Sequence, residues 1–295
     1  LGLFQLYFLV GGFWQIFFLA LTIGVFITSF TALGDNLVLT LGRTWKIDYP
    51  RIRLWGSIAF IAGSYLGGVV MTGRSPDFIP VLLAVAYLLL FLCCLMLPEI
   101  RVERSDKGRK GFRLLLGNRS FVVFLIASGL IQGSHAVLYS SGTLHWQQQG
   151  LSDQTIGFLW AEGVIVEVIL FAFSRRAFAP FSPVQLLLLA GVAGTLRWLV
   201  MSFTPGVPVL LLIQTLHGVT FAAAHLGTMR MISETIPLEF SARAQGLYTA
   251  IALGLIMGGE MFLSGYLYDA FAAQAYFFMA GSCLIALCLC LRIKS

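Results

Sequence analysis

Long apolar runs separated by short polar connections make up most of this chain. A helix that crosses a bilayer needs roughly 20 apolar residues, and irregular backbone cannot face lipid. The sequence therefore predicts an all-α integral membrane protein with one partial span and nine complete spans. The partial span covers residues 1–11. The complete spans lie near 13–34, 52–72, 78–98, 120–142, 153–174, 183–203, 207–232, 242–268 and 271–291.

A charged run over residues 99–119 interrupts this pattern. It contains seven cationic side chains: Arg101, Arg104, Lys107, Arg109, Lys110, Arg113 and Arg119. Cationic loops of membrane proteins stay on the cytoplasmic side, so we expect this loop and both termini of the full protein to be cytoplasmic. The alternation of spans then places all but two of the 19 Lys and Arg residues inside. The exceptions are Arg74, outside, and Arg197, within a span, and this asymmetry supports the number of spans.

The same run divides the chain into three parts. We predict a first helical part at 1–98, a cytoplasmic basic linker at 99–119, and a half of six helices at 120–295. Six helices after a long cytoplasmic loop are typical of a transporter built from six plus six helices. The first half would then lack two helices and most of a third. The start at Leu1, inside an apolar run, also predicts that the sequence is a piece of a longer protein.

Composition narrows the function classes. The chain is 58% hydrophobic and 11% charged, with a mean hydropathy of +0.89, whereas a soluble domain carries about 25% charged residues. The net charge of +6 lies in loops between spans and reflects membrane topology, which excludes nucleic-acid binding. The five cysteines lack metal or disulfide spacing and indicate apolar packing. No HExxH, GxSxG or GxxxxGK[ST] motif is present, so we expect no enzyme, cofactor or metal.

Two of the spans carry a polar face. At about 100° per residue, four side chains of the span 120–142 fall within an arc of about 60°, and four of the span 207–232 within about 80°. The first set is Ser128, Gln132, His135 and Tyr139; the second is Gln214, His217, His225 and Thr228. Each face is read either as the lining of a substrate cavity or as a set of interhelical hydrogen bonds. His217 and His225 are about 12 Å apart along a helix and cannot share a metal ion.

Charged residues inside spans are expensive and mark functional sites. Arg197 needs a carboxylate partner, and counting residues from the outer surface makes Glu162 its nearer partner. Glu167 is then the carboxylate predicted to carry a proton. The alternative is a fixed ion pair that locks two helices together. Asp35 closes the span 13–34 and is predicted to form a charge latch, or a gate, with the basic residues that follow it.

Four segments of the chain resemble a known family. They are DYPRIRLWGSIAFIAGS (48–64), IQGSHAVLYSSGTLHWQQQGLSDQTIGFLWAEGVIVEVILFAFS (131–174), GTLRWLVM (194–201) and LIQTLHGVTFAAAHLGTMRMI (212–232). They look like the 3-phenylpropionic acid transporter family of the major facilitator superfamily, a relative of the lactose permease and nucleoside–proton symporter groups. The resemblance implies twelve helices, the bacterial inner membrane and proton-coupled uptake. It also makes the predicted spans helices four to twelve.

In that fold helices one, four, seven and ten line a central cavity, which would place both polar faces at the substrate. The expected function is a proton symporter for a small organic acid, with an aromatic acid such as 3-phenylpropionate favoured. The alternatives are a nucleoside or sugar proton symporter, and a membrane sensor or remnant that does not transport. The expected partners are membrane lipid, the substrate and protons, and the protein is expected to be monomeric.

Overall fold

A computed structural model describes residues 2–45, 49–71, 78–97 and 108–293, and these residues form helices joined by short turns. A one-turn helix, Gly2–Gln5, and a 3-10 turn, Leu6–Leu9, come first. The longer helices are α1 Phe13–Trp45, α2 Tyr49–Met71, α3 Ile79–Leu95, α4 Gly108–Gly117, α5 Arg119–Gln148, α6 Asp153–Ala177, α7 Pro183–Met201, α8 Val207–Thr235, α9 (Leu238–Leu247, Tyr248–Ile256 and Met257–Phe271) and α10 Ala275–Cys290.

Five stretches of the described residues are long and apolar enough to cross a membrane. They are Arg119–Gln148, Gln154–Ser174, Pro183–Met201, Val207–Thr235 and Leu238–Cys290. The last stretch contains two helices, α9 and α10, joined by a 3-10 turn, Ala272–Gln274. In the first part, shorter apolar stretches lie at Phe13–Ile27, Leu54–Gly63 and Ile79–Leu95. The predicted all-α membrane architecture is therefore confirmed.

The largest departures from the predicted bounds occur in three places. Helix α1 continues to Trp45 because the largely apolar residues 37–41 follow the polar pair Asp35 and Asn36, so Asp35 lies within the helix. Helix α5 runs to Gln148 rather than 142. Residues 108–117, predicted as loop, form helix α4. The cations Lys46, Arg74, Arg101, Arg104, Lys107 and Lys294 lie outside the described residues.

Helix α5 is interrupted at Ser134 and His135. The backbone N–H of His135 donates to the carbonyl of Gln132 instead of continuing the helical ladder. The Ser134 hydroxyl donates to the carbonyl of Ile131, and such local bonds compete with regular helix. The interruption divides α5 into Arg119–Gly133 and Ala136–Gln148, and His135, at the start of the second segment, is fully buried.

The core lies among the helices α5 to α10. Its two largest groups of buried side chains centre on Phe121, Phe124 and Phe171, and on Trp146 and Trp198. Helix α10 packs against α5 and α7, α5 against α9, and α8 against α6 and α7. Helix α2 contacts α6, and α1 contacts the start of α9. The first part of the chain therefore packs onto the second through these two helices.

Gly129 and Gly133, four residues apart on α5, allow this helix to pack closely against α9. A β-carbon at Gly129 would lie 3.0 Å from the Ala252 Cα atom, and one at Gly133 would lie 3.2 Å from the Met257 Cα atom. Both contacts join α5 to α9, as expected for small residues between helices in lipid. A β-carbon at Gly258 would meet nothing within 4 Å. The spacing in sequence alone therefore does not identify the close contact.

Gly129→Ala is expected to destabilise the protein because the new methyl group meets backbone that cannot move aside. Overpacking of this kind costs about 1–3 kcal/mol. The measurement is the temperature at which the purified protein loses its fold in detergent, followed by circular dichroism. Gly258→Ala is the matched control, since its methyl group enters open space. Equal melting temperatures for the two variants would contradict the close α5–α9 contact.

Candidate functional site

Arg197 lies at the centre of the polar groups of the bundle. Its side chain is fully buried on α7. One terminal nitrogen, Nη2, donates to Gln214 Oε1 at 2.6 Å, and the other, Nη1, donates to His217 Nδ1 at 3.2 Å. Gln214 Nε2 in turn donates to the carbonyl of Leu159 at 3.2 Å. The guanidinium therefore links α7 to α8 and, through Gln214, to α6.

The contact with Arg197 fixes where His217 carries its proton. A guanidinium has donors only, so His217 Nδ1 must accept and be unprotonated while this bond exists. The proton of the neutral ring then sits on Nε2. That nitrogen lies 4.0 Å from Glu167 Oε2. Arg197, His217 and Glu167 therefore form a row in which the histidine separates the cation from the carboxylate.

Arg197 is not paired with Glu162 as the sequence predicted. Its bonds go to Gln214 and His217, and Glu162 Oε2 is buried without a hydrogen-bond partner among the described residues. The prediction compared depths along two helices that follow one another in sequence. In the fold, Gln214 on α8 lies between the α6 backbone and the guanidinium. Depth was therefore a poor guide to which helices are neighbours.

His135 comes close to His217, so the structure brings the two predicted polar faces together. The ring centroids are 5.3 Å apart in an edge-to-face arrangement. His135 Nδ1 lies 3.1 Å from the carbonyl of Gln132, and Nε2 lies 3.1 Å from Thr220 Oγ1. Because a carbonyl only accepts, Nδ1 is the donor in the first contact. The Thr220 hydroxyl donates to the carbonyl of His217 at 3.0 Å, so Thr220 bridges the two histidines. Thr220 was missed from sequence, although it lies one turn beyond His217 on the same helix.

Aromatic and imidazole rings form a continuous series through this region. Neighbouring centroids are 5.3 to 6.3 Å apart. In order the rings are Trp146, Trp160, Tyr139, His135, His217, Phe221 and His225. Tyr139 is exposed and Trp160 half-buried, whereas His135 is fully buried. Tyr139 and Trp160, inside the series, therefore expose ring surface, whereas Trp146 at its end is fully buried.

Trp198 and Tyr276 form a second ring pair, beside Arg197. The guanidinium carbon lies 4.5 Å from the centre of the Trp198 ring, within cation–π distance. Trp198 stacks on Tyr276 of α10 with centroids 5.8 Å apart and donates from Nε1 to Ser134 Oγ at 2.9 Å. Sequence reasoning missed both rings; the position of Trp198 directly after Arg197 was the only available signal. The cation is therefore held from several sides.

The remaining predicted residues lie away from Arg197 or are engaged in packing. Ser128 Oγ and Thr228 Oγ1 hydrogen-bond each other at 2.9 Å between α5 and α8, and both side chains are fully buried. This bond is of the interhelical kind considered from sequence. Gln132 is buried, and His225 packs against Phe221. Asp35 is half-buried on α1, and its assignment as a latch stays a prediction.

Comparison with known proteins agrees with this fold. The model of the MFS_1 like family matches residues 3–279. A protein of Escherichia coli named "Probable 3-phenylpropionic acid transporter" is 33% identical over 87% of this chain and 68% of its own length. An uncharacterized transporter of Bacillus subtilis is 24% identical, over 91% of this chain and 67% of its length. A protein of Geobacillus stearothermophilus named "Maltose permease" is 25% identical, over 95% and 71%.

The family match covers nearly the whole chain. It contains four of the five stretches able to cross a membrane completely, and the fifth up to residue 279, within α10. The identity to the Escherichia coli relative extends over more than two thirds of both chains. This chain is therefore a multi-pass membrane protein of the MFS_1 like family, within the major facilitator superfamily of transporters.

Proposed function

We propose that this protein is a proton-coupled symporter that takes up a small organic acid, with an aromatic carboxylate such as 3-phenylpropionate as the favoured substrate. The observation that carries the proposal is a buried arginine beside a series of rings. The name of the Escherichia coli relative points the same way. A guanidinium binds a carboxylate through two parallel hydrogen bonds, and the rings offer a surface for an aromatic group.

The carboxylate would bind Arg197 in place of His217. Arg197 Nη1 is held by His217 at 3.2 Å, a longer contact than the 2.6 Å bond to Gln214. Arg197 Nε has no hydrogen-bond partner among the described residues. An incoming carboxylate that displaces His217 from Nη1 would bind Nη1 and Nη2 end-on, because Nη2 carries a second hydrogen besides the one that it donates to Gln214. The Nε–H points to the other edge of the guanidinium and takes no part in that two-pronged contact. The phenyl ring of the substrate would lie toward Tyr139 and Trp160, whose rings stack 6.2 Å apart.

The same exchange would couple substrate to protons. While His217 Nδ1 accepts from Arg197, the imidazole cannot take up a second proton. A carboxylate that occupies Arg197 releases Nδ1, and the imidazole can then be protonated. The resulting cation has Glu167 on its other side, with Nε2 and Oε2 4.0 Å apart. One bound acid thus makes room for one proton, which is the requirement for symport.

A sugar or nucleoside is the second candidate substrate. The relative named "Maltose permease" and the amide groups of Gln132 and Gln214 favour it, because amides and aromatic rings suit neutral hydroxylated rings. Such a substrate has no carboxylate and would leave the bond between Arg197 and His217 in place. Binding of a sugar would therefore not be linked to proton uptake by the route described here.

Uptake by the purified protein in vesicles tests the function. With an acidic exterior, labelled 3-phenylpropionate is expected to accumulate inside, and a protonophore is expected to abolish the accumulation. Labelled uridine and maltose are tested separately as alternative substrates and are expected to accumulate no more than in protein-free vesicles. Accumulation of maltose or uridine, without accumulation of the acid, would identify the sugar or the nucleoside as the substrate. Binding of 3-phenylpropionate without any uptake or exchange would favour a sensor.

A further inference from the structure

Helix α4, Gly108–Gly117, is amphipathic and lies directly before a membrane-spanning helix. Its sequence, GRKGFRLLLG, forms a helix of its own because Asn118 has an extended backbone and caps α5: the Asn118 side chain accepts from the N–H of Phe121 at 3.1 Å. The chain therefore changes direction at Asn118. Since the stretch of α5 that is long and apolar enough to cross a membrane begins at Arg119, α4 is held close to the expected membrane boundary.

One edge of α4 packs on the bundle. Leu115 is 1% exposed, and a β-carbon at Gly111 would lie 3.0 Å from the ring of Phe240 on α9. Three other large apolar side chains are exposed: Phe112 (45%), Leu114 (57%) and Leu116 (49%). Contacts within the chain therefore account for one edge of the helix and leave other apolar positions uncovered.

The order of side chains around α4 fits a membrane surface. At about 100° per residue, Phe112 and Leu116 fall about 40° apart, next to the packed edge formed by Gly111 and Leu115. Arg113, whose side chain is exposed, follows about 60° beyond Leu116. Leu114 lies on the opposite side, about 160° from Leu116. A rotation about the helix axis thus meets the bundle, an apolar stripe and then a cation.

We propose that α4 lies in the headgroup layer and binds anionic phospholipid. Phe112 and Leu116 enter the acyl-chain boundary, and Arg113 meets lipid phosphates. Basic amphipathic helices bind membranes in this way, through buried apolar area and attraction to anionic lipids. The charge of the surrounding run supports an anionic partner, because residues 99–119 contain seven Lys and Arg. The proposal does not depend on which substrate the protein transports.

Two exposed leucines on opposite sides of α4 provide a matched test. Leu116→Cys and Leu114→Cys each carry one spin label in a background whose five native cysteines are replaced. The proteins are placed in nanodiscs of phosphatidylcholine with 30% phosphatidylglycerol. Collision rates with oxygen, which partitions into lipid, and with a water-soluble nickel complex are then measured. We expect the oxygen-to-nickel ratio to be at least about fivefold higher at position 116 than at 114.

Removing the negative lipid tests the charge. The ratio at position 116 is expected to fall at least about twofold in pure phosphatidylcholine, and Arg113→Gln is expected to remove this lipid dependence. Arg176→Gln, a change of an exposed cation at the end of α6, is the control and should preserve it. Equal water exposure at positions 114 and 116, lipid exposure at 114 alone, or indifference to phosphatidylglycerol would each overturn the proposal. Shielding of position 116 only when a cytosolic extract is added would assign the surface to a protein partner instead.

Discussion

Replacing Arg197 with glutamine is expected to weaken 3-phenylpropionate binding at least about 30-fold. Truncating one partner of a buried, hydrogen-bonded charge pair costs about 2–5 kcal/mol, and each 1.4 kcal/mol is a factor of about ten in affinity. Lysine at the same position keeps the charge but loses the two-pronged geometry, so an intermediate loss is expected. The measurement is equilibrium binding of labelled 3-phenylpropionate to protein in nanodiscs.

Two controls separate a lost binding contact from a damaged fold. Arg230→Gln removes another arginine, on α8, whose Nη1 donates to the carbonyls of Phe178 and Phe181 outside the site; its binding should match the unmodified protein. The second control changes the ligand. The neutral amide of 3-phenylpropionate should bind the unmodified protein weakly and bind the Arg197→Gln variant about equally. Binding of the acid within threefold of normal in Arg197→Gln would show that Arg197 does not meet the carboxylate.

Replacing Glu167 with glutamine is expected to abolish accumulation of the acid while preserving exchange. Glutamine keeps the size and hydrogen-bonding capacity of Glu167 but cannot ionise. A protonated His217 would then lose its negative neighbour, which lies 4.0 Å away. Net uptake driven by a pH gradient requires loading and release of the proton, whereas exchange of internal for external substrate requires no net proton movement. Initial rates of both processes in vesicles are the measurement.

Two further variants, Glu234→Gln and Glu162→Gln, decide how the Glu167→Gln result is interpreted. Glu234→Gln changes an exposed carboxylate near the end of α8 and should leave both processes intact. If Glu167 only packs two helices together, its variant should lower the amount of folded protein and depress accumulation and exchange to the same extent. Normal accumulation in Glu167→Gln together with loss in Glu162→Gln would assign the proton to Glu162.

The helices were predictable from sequence because a membrane imposes length and polarity on each one separately. The six spans expected after the basic run all appear as helices, from α5 to α10. Helix α4 was missed because its ten residues are too short and too charged to register as a span. Its apolar positions lie between cations in the sequence and become a stripe only when the helical period is applied.

The partner of Arg197 was not predictable in the same way. Apolar helices carry little information about which of them are neighbours, so depth along each helix was the only guide to pairing. Gln214 and His217 are both on α8, and the structure places that helix against Arg197. A stretch of π-helix at Val219–Ala223 also shifts the residues beyond it relative to the ideal 100° period. His225 lies about two turns beyond His217 and packs against Phe221 and Phe171.

The two polar faces were expected to line one cavity, and in the structure His135 of one face contacts His217 of the other. His135 lies at the interruption of α5, where the Ser134 hydroxyl bonds to the carbonyl of Ile131, and its ring contacts the Gln132 carbonyl and Thr220. A polar arc on a regular helix does not contain that change of direction. The two polar faces did not specify this pair or its geometry, and their assignment as the lining of a cavity stays a prediction.

The most direct test of the coupling is to count protons taken up when the acid binds. Binding of 3-phenylpropionate to the purified protein is measured by calorimetry at one pH in buffers that differ in heat of ionisation, which gives the number of protons exchanged. Displacement of His217 from Arg197 predicts uptake of about one proton per acid bound, and none in the His217→Gln variant. Binding of the acid with no proton uptake by the unmodified protein would contradict the account.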